Sequence, residues 1–215
     1  MSSQIKIDFV SDVSCPWCAI GLYSLKRALV ELEGEVTADL HFQPFELNPQ
    51  MAPEGEDIGE HLRRKYGAND EQLARTRETI RERGAELGFD FAVGKRDRIY
   101  NTFDAHRLLH WAELEGHQLA LKEALFKAYF TDGEDPSAHP VLIRAAEVAG
   151  LDPQRAGAIL ASDEFATDVR RQQAKYQSAG INSVPAVIIN DRHLIQGGQP
   201  PEVFVQALRQ IAAQA

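Results

Sequence analysis

The feature that most constrains this chain is a pair of cysteines, Cys15-Pro16-Trp17-Cys18, set between a strand pattern and a helix pattern. Ile5, Ile7 and Phe9 alternate with Lys6 and Asp8, the two-residue period of a strand, and the run stops at the polar turn Ser11 to Ser14. Pro16 then occupies a first-turn position, where a missing N–H costs nothing, and Leu22, Leu25, Leu29 and Leu32 recur at helical spacing as far as Gly34. Val36, Ala38, Leu40 and Phe42 alternate again. The chain therefore opens as strand, Cys-x-x-Cys, helix, strand.

From about Asp57 to Gln177 the periodicity is helical. Leu73, Ile80 and Leu87 lie seven apart, Phe103 to Leu114 is strongly apolar with Asn101 or Thr102 as its cap, and Gly116 and Gly150 sit where helices end. Strand patterns return with Ala186 to Ile189, a turn at Asn190-Asp191, and His193 to Gln196. Gly197-Gly198 breaks this hairpin and Pro200-Pro201 opens an amphipathic terminal helix. The expected organisation is α/β, with residues 1–56 and 178–215 forming one domain and 57–177 an all-helical insertion.

Composition narrows the function. Lys and Arg total 23 against 32 Asp and Glu, and a net charge of −9 repels phosphate backbones, which argues against nucleic acid as a partner. No stretch approaches the roughly 20 apolar residues of a membrane span. The start, MSSQIKIDFV, reads as a strand rather than a secretory signal, so the expected setting is cytoplasmic and reducing. There, two cysteines in 215 residues serve as a redox pair rather than a structural staple.

Placed at a helix N-terminus, the first thiol meets unpaired backbone N–H groups and the positive end of the helix dipole, which stabilise a thiolate. Cys15 is thus the expected nucleophile. Cys18, one turn inside, is the expected resolving thiol, attacking a mixed disulfide on Cys15 to release the substrate. Half a zinc site is the competing reading, but structural zinc takes four protein ligands and no second Cys pair exists. An inert packed pair gives Pro16 and Trp17 no reason to stand between the thiols.

Four segments, FVSDVSCPWCAIG, NTFDAHRLLHWA, LFKAYFTDGEDPS and GINSVPAVIINDRHLIQGGQPPEVF, resemble the DsbA-like branch of the thioredoxin superfamily, and particularly its FrnE-like cytoplasmic members. The resemblance implies a thioredoxin-like fold interrupted by a helical domain, a Cys15–Cys18 redox pair, and Val184-Pro185 as a cis-proline loop beside it. It also implies a site-facing His106. The likeness extends to 2-hydroxychromene-2-carboxylate isomerases and kappa-class glutathione transferases, which generally carry Ser in place of Cys15. The intact pair favours disulfide exchange with protein thiols and disulfides, and leaves glutathione open as a co-substrate. Unlike the periplasmic DsbA pattern, Trp17 rather than His lies between the cysteines.

Beside these implications stand plainer roles. Most X–Pro bonds are trans, so Pro185 taken alone is an ordinary strand-start proline. Asp12 is a turn former or a carboxylate acting on the thiols, His106 a packing histidine or a substrate contact, and Trp17 a contact surface or a shield over Cys18. Three functions remain distinct: a dithiol oxidoreductase or isomerase, a glutathione-dependent isomerase or transferase, and a chaperone-like binding module. No tightly bound cofactor or metal is expected, and both monomer and homodimer stay open.

Overall fold

A strand buried at its centre organises the fold. The computed structural model describes residues 2–214. It begins with β1 (Ser3–Ser11), α1 (Pro16–Glu31) and β2 (Val36–Pro44). β1 pairs in parallel with β2, from Ser3 opposite Val36 to Ser11 opposite Pro44. On its other edge β1 meets β5 (Ala186–Ile189) antiparallel, with Phe9 opposite Val187 and Val10 opposite Ala186, and β5 hairpins to β6 (His193–Gln196). The four-stranded mixed sheet thus has the order β2-β1-β5-β6, and the final helix α9 is Pro201–Ala212.

Ile5, Ile7 and Phe9 pack with Leu22 and Leu25 of α1 and with Phe204 and Leu208 of α9, all fully buried. Each such side chain contributes about 1.5–3 kcal/mol. The other face of β1 is also covered: Val10 and Ala186 pack with Phe45, Tyr176 and Ile181. The polar half of the β1 alternation therefore does not face solvent along the whole strand, and Asp8 is buried, accepting a hydrogen bond from Gln43 Nε2 at 2.7 Å.

What covers that face is the block between β2 and β5, comprising α2 (Ile58–Tyr66), α3 (Asp70–Glu86), α4 (Phe103–Leu114), α5 (Gln118–Phe126), α6 (His139–Val148), α7 (Pro153–Leu160) and α8 (Ala166–Ser178). Its own core joins Leu108, Leu121, Leu142 and Ile159 to Val13 from the loop before Cys15. The block departs from the all-helical expectation in one respect. Glu56–Asp57 (β3) and Arg98–Ile99 (β4) form a two-residue antiparallel ladder, too short to show any alternation in sequence. The expected cuts at 56/57 and 177/178 fall on β3 and on the end of α8. A π-helical turn, Lys127–Asp132, continues α5 and ends at Gly133.

Candidate active site

The loop from β1 to α1 carries both thiols. Cys15 is the N-cap of α1, in extended backbone (φ −90°, ψ 112°), followed by Pro16 and without a capping side chain. Pro16 has no N–H and the Cys18 N–H donates to the Cys15 carbonyl at 3.1 Å, so the Trp17 N–H and the positive dipole end are what the first turn offers the Cys15 sulfur. Cys15 is 4% exposed and lies on the wall of a cleft, whereas Cys18 is 0% exposed behind it. Both thiols are free. Burial pushes the Cys18 thiol well above its ordinary pKa, and the adjacent Cys15 thiol pushes it further.

β5 aims a second loop at this pair. Because Val10 pairs with Ala186, the preceding residues lie at the end of β1, and the Val184–Pro185 bond there is cis. Cys15 Sγ lies 3.8 Å from the Val184 carbonyl oxygen. Pro185 rests on α1 where Gly21 leaves room: a Cβ at Gly21 would lie 3.2 Å from the proline Cγ. The Pro185 carbonyl accepts a hydrogen bond from Gly197 N at 2.8 Å.

Trp17 is held from two sides. A Cβ at Gly198 would come within 2.9 Å of the Trp17 carbonyl oxygen, so only glycine fits that approach. Arg83 of α3 donates to the Gly198 carbonyl at 2.6 Å while its guanidinium stands 5.5 Å from the Trp17 ring centroid. This ties the helical block to the loops beside the thiols.

Asp12, almost fully buried, accepts hydrogen bonds from Leu47 N at 2.7 Å and Ser14 Oγ at 3.2 Å, and lies 3.3 Å from His106 Nε2. Burial alone would raise its pKa. The contacts with His106, the Leu47 N–H and Thr102 outweigh that and hold the carboxyl below the usual range.

The cleft in front of Cys15 has a volume of about 790 Å³ and is bounded by the Cys15 loop, by Ser183 and Val184, and by α2 and α3. Its apolar wall includes Trp17, Leu62, Tyr66 and Ile80, and Lys65, Arg77 and Arg96 line it as well. The one acid on the wall, Glu46, is paired with Arg170. A chain of strongly negative net charge thus presents a cationic cleft at the thiol on its wall.

Cys15, Cys18, Trp17, Val184 and Pro185 therefore come together. His106 does not reach the cleft; it is buried beneath the loop against Asp12. Sequence reasoning passed over Arg77 and Arg96, which resemble solvated helix and loop charges. It also passed over Lys122, fully buried on α5. Its signal was present: Lys122 stands three and four residues before Leu125 and Phe126, on the apolar face of α5.

A thioredoxin-like mixed sheet with a Cys-x-x-Cys at a helix N-terminus and a cis-proline loop beside it defines the class of thiol–disulfide-type proteins. The model of the DSBA-like thioredoxin domain matches residues 6–209, and the chain belongs to that family of thiol oxidoreductases. A probable DsbA oxidoreductase from Streptomyces coelicolor is 30% identical over 98% of this chain and 91% of its own, with a TM-score of 0.91. The same fold, at 14% identity and a TM-score of 0.70, occurs in a 2-hydroxychromene-2-carboxylate isomerase, covering 97% of each chain. It occurs also, at 17% identity and a TM-score of 0.66, in the cytosolic disulfide reductase DsbM of Pseudomonas aeruginosa with GSH, covering 97% of this chain and 99% of that one. No curated protein matches the chain.

Proposed function

We propose that this protein is a cytoplasmic thiol–disulfide oxidoreductase of the FrnE-like kind, in which Cys15 attacks a substrate disulfide and Cys18 resolves the adduct. The observation that carries the reading is the unequal placement of the two sulfurs, Cys15 on the cleft wall at the uncapped start of α1 and Cys18 sealed behind it. The Cys15 thiolate forms a bond to one substrate sulfur and the other leaves as a thiolate. Cys18 then displaces the first, leaving the protein disulfide and two substrate thiols. The Val184 carbonyl beside Cys15 and the cis Val184–Pro185 bond supply backbone to an extended substrate, and Trp17 supplies apolar surface.

The cleft volume falls within the range of about 300–1,000 Å³ typical of small-molecule sites. Together with Lys65, Arg77 and Arg96 this favours a compact anionic disulfide, glutathione disulfide among them, alongside protein disulfides. The cytosolic setting and bound GSH of DsbM are in line with that choice.

The same cleft favours one second reading, a glutathione-dependent isomerase in which a single sulfur suffices. Cys18→Ser separates the two. The oxidoreductase accumulates a mixed disulfide on Cys15 and loses turnover, seen by mass spectrometry and non-reducing electrophoresis. Turnover preserved without any trapped adduct would favour the isomerase instead.

A further inference from the structure

Of the seven histidines in the chain, His61 of α2 is the one that lines the cleft holding Cys15. It is 5% exposed, and its Nδ1 lies 2.8 Å from Oε2 of Glu56 on β3. Arg64, three residues further along α2, clasps the same carboxylate, with Nη2 donating to Oε2 at 2.6 Å. Arg64 first, and His61 after it, hold the Glu56 carboxyl well below the usual carboxylate range, so Glu56 only accepts and Nδ1 is the nitrogen that donates. Nε2 makes no hydrogen bond among the described residues. Glu56 is itself fixed, paired with Ile99 in the β3–β4 ladder, while Arg98 of β4 donates to the Gly55 carbonyl at 3.0 Å. His61, Glu56 and Arg64 share a neighbouring cavity of about 420 Å³, but of the three His61 alone also lines the Cys15 cleft. The other charged groups on that wall are Lys65, engaged with the Leu47 carbonyl and Asn48 Oδ1, the arginines Arg77 and Arg96, and Glu46, paired with Arg170. A ring oriented through one nitrogen by a carboxylate, with the other nitrogen unpaired on a reaction cleft, is the arrangement of an acid–base group.

We propose that His61 is a catalytic acid–base residue for the substrate sulfur that exchanges with Cys15, and that Glu56 is its positioning residue. The inference rests on the two-cysteine reading above, whose steps leave this pair unused. The Cys15 thiolate forms a bond to one sulfur of the substrate disulfide, and the bond between the two substrate sulfurs breaks. The departing sulfur keeps the electron pair and takes the proton from Nε2 of the His61 imidazolium, leaving as a neutral thiol. Cys15 is thereby oxidised to a mixed disulfide and the departing sulfur is reduced; His61 regains its proton from water in the cleft. In the reverse direction the neutral ring takes the proton of a bound thiol, and the resulting thiolate attacks Cys15. That proton matters because ordinary thiols are mostly protonated at neutral pH, whereas the thiolate is the reacting form.

The test follows loss of the free Cys15 thiol, by acid quench, alkylation and mass spectrometry, as the reduced protein is oxidised by three disulfides. Dithiobis(nitrobenzoate) releases an acidic thiolate that needs no proton, while glutathione disulfide and the small, neutral hydroxyethyl disulfide release basic ones. His61→Gln should slow the reaction with both of the latter at least roughly tenfold and stay within about twofold of wild type with dithiobis(nitrobenzoate). Glu56→Gln, which keeps the ring and removes its orienting charge, should show the same selectivity at about threefold or more. Folding of each variant is checked by near-ultraviolet circular dichroism. Should neither fold, the wild type decides: its rate ratio between dithiobis(nitrobenzoate) and glutathione disulfide should be at least roughly tenfold smaller than that of free cysteine, and an equal ratio overturns the proposal. Equal slowing on all three disulfides would mark a structural role, and slowing confined to glutathione disulfide would mark a binding contact. Either result, like no slowing at all, overturns the acid–base role and leaves the cysteine mechanism standing. A wild type whose Cys15 reacts with none of the three overturns both.

Discussion

Cys15 Sγ lies 3.8 Å from the carbonyl oxygen of Val184, a residue 169 positions further along the chain. The contact exists because β1 and β5 are neighbours in the sheet, which places the end of one strand beside the start of the other. Cys18, only three residues from Cys15, is fully enclosed in the core. This inequality is directly measurable. Iodoacetamide at neutral pH should label Cys15 first, with Cys18 following only slowly, since its thiol is both enclosed and held well above the ordinary thiol range. Peptide mass spectrometry over time gives the order, and equal labelling would contradict the division of roles.

Gly198 should tolerate no side chain. A Cβ there meets the Trp17 backbone oxygen at 2.9 Å, and that atom belongs to the first turn of α1, anchored by Cys15 and Pro16. Gly198→Ala should therefore lower stability by about 1–3 kcal/mol, as overpacking does, and slow disulfide exchange by displacing Trp17. Gly180, with open space around its Cβ position but a φ of +88°, is the contrast: Gly180→Ala should cost stability through its backbone alone and leave exchange unaltered. Thermal unfolding and exchange kinetics on both variants check the pair.

Asp12 should make the fold acid-sensitive. Its folded pKa is depressed below 3.8, so its contribution is fully present above that value and is lost as pH falls through the lowered one. Asp12→Asn, which keeps the shape but weakens the acceptor for Leu47 N and His106, should cost roughly 1–3 kcal/mol at pH 7 and progressively less below pH 3.8. Denaturant titrations across that range decide it. A constant difference would place the effect in packing rather than in the charge.

Legibility in the sequence followed the range of the interactions. β5 and β6 were readable to the residue, because alternation and the Asn190-Asp191 turn are local signals, and the turn residues indeed carry positive φ. α4 was readable from its apolar face and from Asn101, whose Oδ1 accepts from Phe103 N at 2.9 Å. The pairing of β3 with β4 was not, since two residues define no period. Nor was the grip of Arg83 on Gly198, which spans 115 residues. In the site, the cysteines announced themselves by spacing, and the cis proline was reached only through family resemblance. The cationic cleft was hidden because a lysine or arginine on a helix looks the same in sequence whether it faces solvent or a substrate.

Lys122 should destabilise the protein that buries it. Its folded pKa is lowered from 10.5 to about 8 by burial, which outweighs the pull of Cys18, Asp12 and Cys15. Between about 8 and 10.5 the unfolded chain binds a proton that the folded chain does not, so the lysine makes stability rise with pH across that window. Below about 8 both states carry the proton, and the folded state bears the full cost of a buried charge. At about 1.4 kcal/mol per pKa unit this cost is roughly 3.5 kcal/mol, partly offset by the Phe42 and Phe126 rings. Lys122→Met, similar in length and apolar, should consequently be more stable than wild type by about 1–3 kcal/mol at pH 7, and the advantage should shrink as pH rises from 8 to 10.5. Urea titrations of the reduced proteins at pH 7, 9 and 10.5 measure the difference directly. A variant less stable than wild type at pH 7, or a difference that ignores pH, would show that Lys122 is held by the fold as a packed stem rather than as a buried charge.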